Sequence, residues 1–265
     1  MNFKPLQDDI QNYITNNSPN ASVYVLNMRN SASFGINATR RFEPASLNKL
    51  PIAILILKKV EEGSLSLDGF LPIKEEDRDN KSGNLYNIPI DKMKVRDLLS
   101  HMLSESDNTA LRVLEEQVTL KDLQQISLYL NYYTKDIDYL IPINNDYKIT
   151  PKSTSNLFMS LYLSSILNPE HSELILKLLS NTTFNINRYA GLPNNGLVAQ
   201  KYGSYYVNEQ KIFHDCGIMY IADSRIFYCI MTQNLNEEKA KENIGNIVNK
   251  IYNYIIEKKK YNFDF

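Results

Sequence analysis

The 265-residue chain has no tryptophan, two cysteines, three histidines and a net charge of −1. The lack of tryptophan reads as coding bias, whereas the scarcities of cysteine, histidine and net charge each close off a class of function. Without an excess of basic residues there is no electrostatic footprint for nucleic acid or an anionic membrane surface. Cys216 and Cys229 stand in adjacent apolar segments with no C-x-x-C and no zinc spacing around them. We expect two free buried thiols, with cross-strand pairing as the alternative. His101, His171 and His214 are scattered without a metal-ligand pattern, so neither a metal nor an organic cofactor is expected. No apolar run reaches the length of a membrane span. Met1 to Pro5 open no apolar signal core, so either the protein is cytoplasmic or an export signal has been removed. No internal repeat or low-complexity linker is visible.

Apolar residues make up 43% of the chain, enough core for one large domain or two closely packed lobes. The richness in Asn, Lys, Ile and Tyr reads as coding bias. Leu6 to Ile14 has the spacing of an amphipathic helix. Ala21 to Asn27 and Ala32 to Ile36 alternate like strands of a hairpin. Leu65 to Asp91 has no period and reads as loop, rich in polar residues from Asp77 to Asn84. Tyr86, within it, is taken as an exposed loop residue. Helices are expected at Lys94–Ser104, Thr109–Gln117, Leu120–Leu130, Thr150–Leu167 and Glu170–Leu179, with a loop from Tyr132 to Ile149. Strands follow at Leu197–Lys201, His214–Ile221 and Ile226–Thr232, and Gly203–Val207 either continues the first or turns. A long helix, Asn236–Ile256, ends the pattern. Strands at both ends and helices between predict an α/β (α+β) fold, with one antiparallel sheet built from both ends of the chain. The whole chain reads as a single domain. Its sheet lobe covers about 1–43 and 181–265, its helical lobe about 44–180, with a cleft between.

The chemistry concentrates at Ala45-Ser46-Leu47-Asn48-Lys49, backed by the apolar run Leu50 to Leu57. Residues i and i+3 of a helix share a face, so Ser46 and Lys49 point together into one cleft. A hydroxyl beside an amine, at a helix start rich in backbone donors, is what nucleophilic acyl transfer requires. Burial by the apolar run helps Lys49 lose its proton. Alone, S-x-x-K also fits a core helix carrying an ordinary serine and lysine. A second polar group, Ser106-Asp107-Asn108, breaks two helical patterns. There Asp107 fits as a helix N-cap.

Three short motifs thus stand in order: Ser46-Leu47-Asn48-Lys49, Ser106-Asp107-Asn108 and Lys201-Tyr202-Gly203. S-x-x-K, S-D-N and K-T-G mark class A β-lactamases and penicillin-binding proteins. The first two match fully and the third at two of three positions. Lys94-Val95-Arg96-Asp97-Leu98-Leu99, which leads into the second motif, also looks like the family's. The chain therefore resembles this active-site-serine family from its first helix to its last. The resemblance implies Ser46 as nucleophile, Lys49 as its proton acceptor and Ser106 as proton donor to the leaving nitrogen. It implies that Asn108 binds the substrate amide and that Lys201 adds positive charge for a substrate carboxylate. It places the oxyanion hole at the backbone N–H groups of Ser46 and Ser204. The substrates implied are β-lactams or peptidoglycan-like peptides ending in D-Ala-D-Ala, handled by a monomer on the extracytoplasmic side. Lys49 and Lys201 in one cleft are expected to depress each other's pKa.

Two departures qualify the match. Tyr202 replaces a small hydroxyl residue, so its ring either turns away or fills part of the site, and Ser204 is the nearby hydroxyl that can substitute. The second departure concerns the E-x-x-L-N loop that supplies the deacylating glutamate of class A β-lactamases. Laid on that loop without a gap, Thr134 to Asn144 puts Ile143-Asn144 at the Leu-Asn positions and Leu140 at the glutamate. Asp136 and Asp138 are out of register. An acyl-enzyme on Ser46 is therefore expected to persist, as in a penicillin-binding protein or a weak β-lactamase. A serine esterase or amidase on the same fold, and a catalytically silent binding module, are the alternatives.

Overall fold

The structure, a computed structural model, describes residues 2–131, 148–193, 197–207 and 210–260. Leu140, Asp136 and Asp138 lie outside them, as does most of the expected loop from Tyr132.

Helix α1 (Lys4–Asn17) buries Leu6, Ile10 and Ile14 on one stripe, the helical spacing of a core-facing side. Strands β1 (Ser22–Asn27) and β2 (Ser33–Ile36) form the expected hairpin, with Val23 opposite Ile36. Helix α2 (Lys49–Glu61) buries every side chain from Lys49 to Leu57. Gly63, at φ 75° just beyond it, takes the left-handed turn that ends many helices. Two three-residue strands pair here: β3 (Phe70–Pro72) lies in the region read as loop, and β4 (Lys92–Lys94) runs from its end to Lys94, the residue expected to open the next helix. They are too short to show alternation in sequence.

Helices α3 (Val95–Ser104), α4 (Asn108–Glu115) and α5 (Leu120–Leu130) follow close to expectation. Helix α6 (Pro151–Tyr162) starts at the Thr150 cap but stops short of Leu167, and Ser164 adopts a left-handed φ of 50°. Helix α7 (Pro169–Leu179) is capped by the Asn168 side chain. The short α8 (Ile186–Ala190) had no periodic signal. Strands β5 (Leu197–Val207), β6 (Gln210–Ile221) and β7 (Ser224–Gln233) precede α9 (Glu237–Lys260). Gly203 to Val207 thus continue β5 without turning.

The five long strands make one antiparallel sheet in the order β2-β1-β7-β6-β5. The N-terminal hairpin docks on the last strand, as the α/β (α+β) expectation required. One core cluster lies between the sheet and the middle helices, joining Leu50, Ile54, Leu99 and Phe158 to Ile218 and Phe227. The other joins Ile10 and Ile14 of α1 and Ile244, Ile247 and Ile251 of α9 to Val23, Val25 and Ile230. Covered on both faces, β7 loses the alternation of a half-exposed strand. Strand β5 is the sheet edge and packs beside residues 45–48. That contact brings the first and third motifs together.

The expectation of two free thiols is corrected: Cys216 and Cys229 form a disulfide. They are directly opposed on β6 and β7. Sequence places both in strands but does not show the register that pairs them.

Candidate active site

Ser46 does not lie in α2 itself. Ala45–Asn48 form a 3-10 turn, and the α-helix begins at Lys49. Pro51 lacks the N–H that would give the Leu47 carbonyl an α-type bond, so the chain tightens there. In a 3-10 turn residues i and i+3 stack almost directly. Lys49 Nζ accordingly lies 3.2 Å from Ser46 Oγ. Ala45, just before the serine, holds a left-handed φ of 47°, a conformation costing a non-glycine residue about 1 kcal/mol or more.

The second motif is set by its flanks. Asp107 caps α4, its Oδ1 accepting from Ala110 N at 2.9 Å. Its Oδ2 accepts from Leu85 N at 2.8 Å, and Asn108 N donates to the Ser82 carbonyl at 3.0 Å. These bonds pin the polar 79–87 segment onto the motif. Gly83 makes the approach possible: at φ 82°, a Cβ there would stand 2.0 Å from Asp107 Oδ2. Ser106 is left at φ 58° in the break between α3 and α4.

The three motifs converge on Lys49 and Ser106. Lys49 Nζ donates to Ser106 O at 2.5 Å, Ser106 Oγ at 3.1 Å and Asn108 Oδ1 at 2.8 Å. Lys201 Nζ reaches the same Ser106 Oγ at 3.0 Å and the Tyr202 carbonyl at 3.0 Å. Ser106 Oγ therefore sits between two amines. Gly203 lets β5 pass the nucleophile, since a Cβ on it would stand 2.9 Å from Ser46 N. Ser204 follows it, exposed on the edge strand.

Both amines are withdrawn from water, Lys49 at 1% exposure and Lys201 at 0%. Burial pulls the Lys49 pKa down to about 8, against the opposing charges of Asp107, Glu115 and Asp79. Burial first, and then the charge of Lys49, push Lys201 well below the ordinary lysine range. The expected mutual depression is thus found in one direction, and burial is the larger cause for both groups.

Tyr202 follows neither simple alternative. Its ring packs against Phe184, stacks on Phe213, and its hydroxyl meets Thr183 Oγ1 at 3.1 Å. The same ring lies under the Lys201 amine, 4.5 Å from Nζ to ring centre. It turns into an aromatic cluster and still borders the site.

His214 is a structural residue, as expected. Its buried Nε2 lies 3.0 Å from the Glu43 carbonyl and its ring meets Phe42 edge-on. Burial lowers its pKa to about 3. The neutral ring must carry its proton on Nε2, because a carbonyl only accepts. His214 thereby ties β6 to the segment entering Ser46. His101, Glu105 and Asp107 bring ligand-type atoms within 4.8 Å of one another. Both Asp107 oxygens already accept backbone bonds, so this trio is a poor metal cage. Reading motifs missed Asp79, which hydrogen-bonds Asn108 at 3.3 Å. One aspartate within a polar loop carries no pattern to distinguish it.

The sequence matches the beta-lactamase enzyme family across residues 5–255. The chain belongs to that family. It is accordingly a serine hydrolase with the β-lactamase fold. Over 271 aligned residues it is 24% identical to the β-lactamase VEB-1 of Pseudomonas aeruginosa, covering 94% of this chain and 90% of that protein. Among solved structures it resembles the TLA-3 extended-spectrum β-lactamase, with a TM-score of 0.85, 17% identity, and coverage of 96% and 100% of the two chains. A leucine-to-glutamate variant of PBP-A, solved as its acyl-enzyme with penicillin G, superposes with a TM-score of 0.81. It shares 21% identity and covers 96% and 97% of the two chains. No helix among the described residues is long and apolar enough to cross a membrane.

Proposed function

We propose that this β-lactamase-family protein is acylated at Ser46 by β-lactams or peptides ending in D-Ala-D-Ala, and that it releases the acyl group slowly. The observation that carries the reading is the buried Lys49 amine 3.2 Å from Ser46 Oγ. In its neutral form Lys49 takes the Ser46 proton as Oγ bonds to the substrate carbonyl carbon. The backbone N–H groups of Ser46 and Ser204 hold the oxyanion. As the carbon–nitrogen bond breaks, Ser106 Oγ passes its proton to the leaving nitrogen and regains one from Lys49. Lys201 Nζ, 3.0 Å from that oxygen, holds the hydroxyl in place and adds positive charge when it is protonated. Asn108 binds the amide on the acyl side.

Water must be deprotonated to hydrolyse the ester that remains. Laid on the class A loop, the sequence puts Leu140 at the glutamate position, and a leucine side chain offers no base. The PBP-A variant captured with penicillin G supports covalent penicillin capture on this fold. The active cleft lies between a sheet lobe (about 1–43 and 181–265) and a helical lobe (about 44–180) of a monomer. The Cys216–Cys229 disulfide supports an extracytoplasmic location, because such bonds persist in oxidising compartments.

Intact-protein mass spectrometry after mixing with benzylpenicillin, followed over hours, tests the reading. The expected result is a lasting adduct that Ser46→Ala abolishes. Drug consumed without a lasting adduct overturns slow deacylation. No adduct and no consumption overturns the β-lactam assignment. Tyr202 favours a second reading in that case, since its hydroxyl is taken up by Thr183 beside the Phe184 ring and the motif offers no small hydroxyl for a substrate carboxylate. A serine esterase or amidase whose substrate lacks that carboxylate would then be found with a panel of chromogenic esters and amides.

A further inference from the structure

We propose that Asp79 is a positioning residue for acylation: it locks the Asn108 side chain in the one orientation that serves both Lys49 and an acyl-side amide of the substrate. The inference rests on the serine-acylation reading and deepens it. A primary amide has an acceptor oxygen and a donor nitrogen of almost the same shape, so nothing intrinsic prevents it from flipping. Here the two ends meet opposite demands. Asn108 Oδ1 accepts from Lys49 Nζ at 2.8 Å, while Asn108 Nδ2 donates to Asp79 Oδ1 at 3.3 Å. The Lys49 amine donates through its N–H groups, and when neutral it keeps its one lone pair for the Ser46 proton, while an ionised carboxylate only accepts. The flipped amide would set nitrogen against nitrogen and oxygen against oxygen.

Asp79 is itself held. It is 8% exposed, its Oδ1 also accepts from Lys81 N at 2.8 Å, and its Oδ2 accepts from Arg112 Nη2 at 2.5 Å. Its own N–H donates to Thr109 Oγ1 at 3.0 Å. Burial opposes its ionisation, but the bonds from Lys81 and Asn108 and the charge of Arg112 outweigh it. The carboxyl stays below its ordinary range and is ionised at neutral pH. One Asn108 Nδ2 hydrogen is committed to Asp79, and the second is left for a substrate carbonyl.

The test compares acylation rate constants for two β-lactams on the full chain. Benzylpenicillin carries the acyl-side amide. Penicillanic acid keeps the bicyclic nucleus and carboxylate without that arm. With Asp79→Asn the rate for benzylpenicillin should fall about tenfold more than the rate for penicillanic acid, the scale of one oriented hydrogen bond in a buried site. In an Asn108→Ala background the same change should leave the ratio of the two rates unmoved. Equal losses for the two compounds would mean a merely structural role and overturn the inference. A ratio that still moves without Asn108 overturns it too. If Asp79→Asn does not fold by circular dichroism, Arg112→Ala carries the test. It frees the carboxylate from its anchor, and the ratio should shift in the same direction by less. The wild type keeps the two readings apart. No adduct with either compound sinks the serine-acylation reading and this one with it; adducts with an unmoved ratio sink only the role of Asp79.

Discussion

Lys201 and Asp215 occupy opposite faces of the same strand pair. In register, Lys201 faces Cys216 and Tyr202 faces Asp215, and neighbours along a strand point to opposite sides. Both groups are fully buried, and burial drives each toward its neutral form. Lys201 falls well below the lysine range, and Asp215 rises to about 8. What differs is the company. The Asp215 oxygens accept from Gln200 Nε2 at 3.1 Å and Tyr228 Oη at 2.6 Å, both buried donors. Lys201 shares Ser106 Oγ with a second amine, and that serine belongs to the cleft. The same electrostatic pressure thus yields a closed structural network on one face. On the other it yields a group with a proton to exchange.

Four experiments can break or sharpen this contrast. Lys49→Ala removes the amine nearest the nucleophile, and acylation by benzylpenicillin in stopped flow should slow by about a hundred- to ten-thousandfold. Lys201→Ala should cost about a hundredfold, the scale of one lost electrostatic contact to a developing charge. In the wild type, the acylation rate should rise with pH and level off above about 8, because the neutral form of Lys49 is the base. A rate that is flat across that window would remove Lys49 from the role.

Asp215→Asn should have the smallest effect on acylation, about threefold or less. Its signature is in stability. A carboxyl whose folded-state pKa is raised binds an extra proton in the native protein. Its contribution is complete below the ordinary carboxyl value of 3.8 and is lost as pH rises through about 8. The melting temperature of the wild type should therefore fall relative to Asp215→Asn between about pH 5 and pH 8. A large loss of acylation with unchanged pH dependence would mean that Asp215 serves the cleft across the sheet. The disulfide one position along β6 is checked more simply. Under denaturing conditions a thiol reagent should label Cys216 and Cys229 only after reduction.

Much of the local structure was legible before any tertiary contact. The Leu50–Leu57 run, the Asp107 and Thr150 caps and the strand pattern of β7 each depend on neighbours within a few residues, and each forms as read. The hairpin at the N-terminus and the long terminal helix were equally clear. Strands β3 and β4 and helix α8 escaped because three to five residues do not establish a period. The 3-10 turn at Ser46 escaped because residues i and i+3 share a face in a 3-10 turn as they do in an α-helix, so the S-x-x-K spacing fits both. The thiols escaped because pairing depends on register, and the Tyr202 ring because alternation along an edge strand does not say what waits beside it.

By itself the sequence determined which groups the site contains and how each is mounted. Ser46 and Lys49 are one helical step apart, Asp107 begins a helix, and Lys201 to Gly203 belong to a strand. Those are short-range matters of backbone geometry and capping. Only the tertiary structure decided that Lys49 and Lys201 meet at one serine oxygen, across 57 and 95 residues of chain. It alone stripped both amines of water, since a pKa is set by what surrounds a group in space and not by what precedes it in the chain.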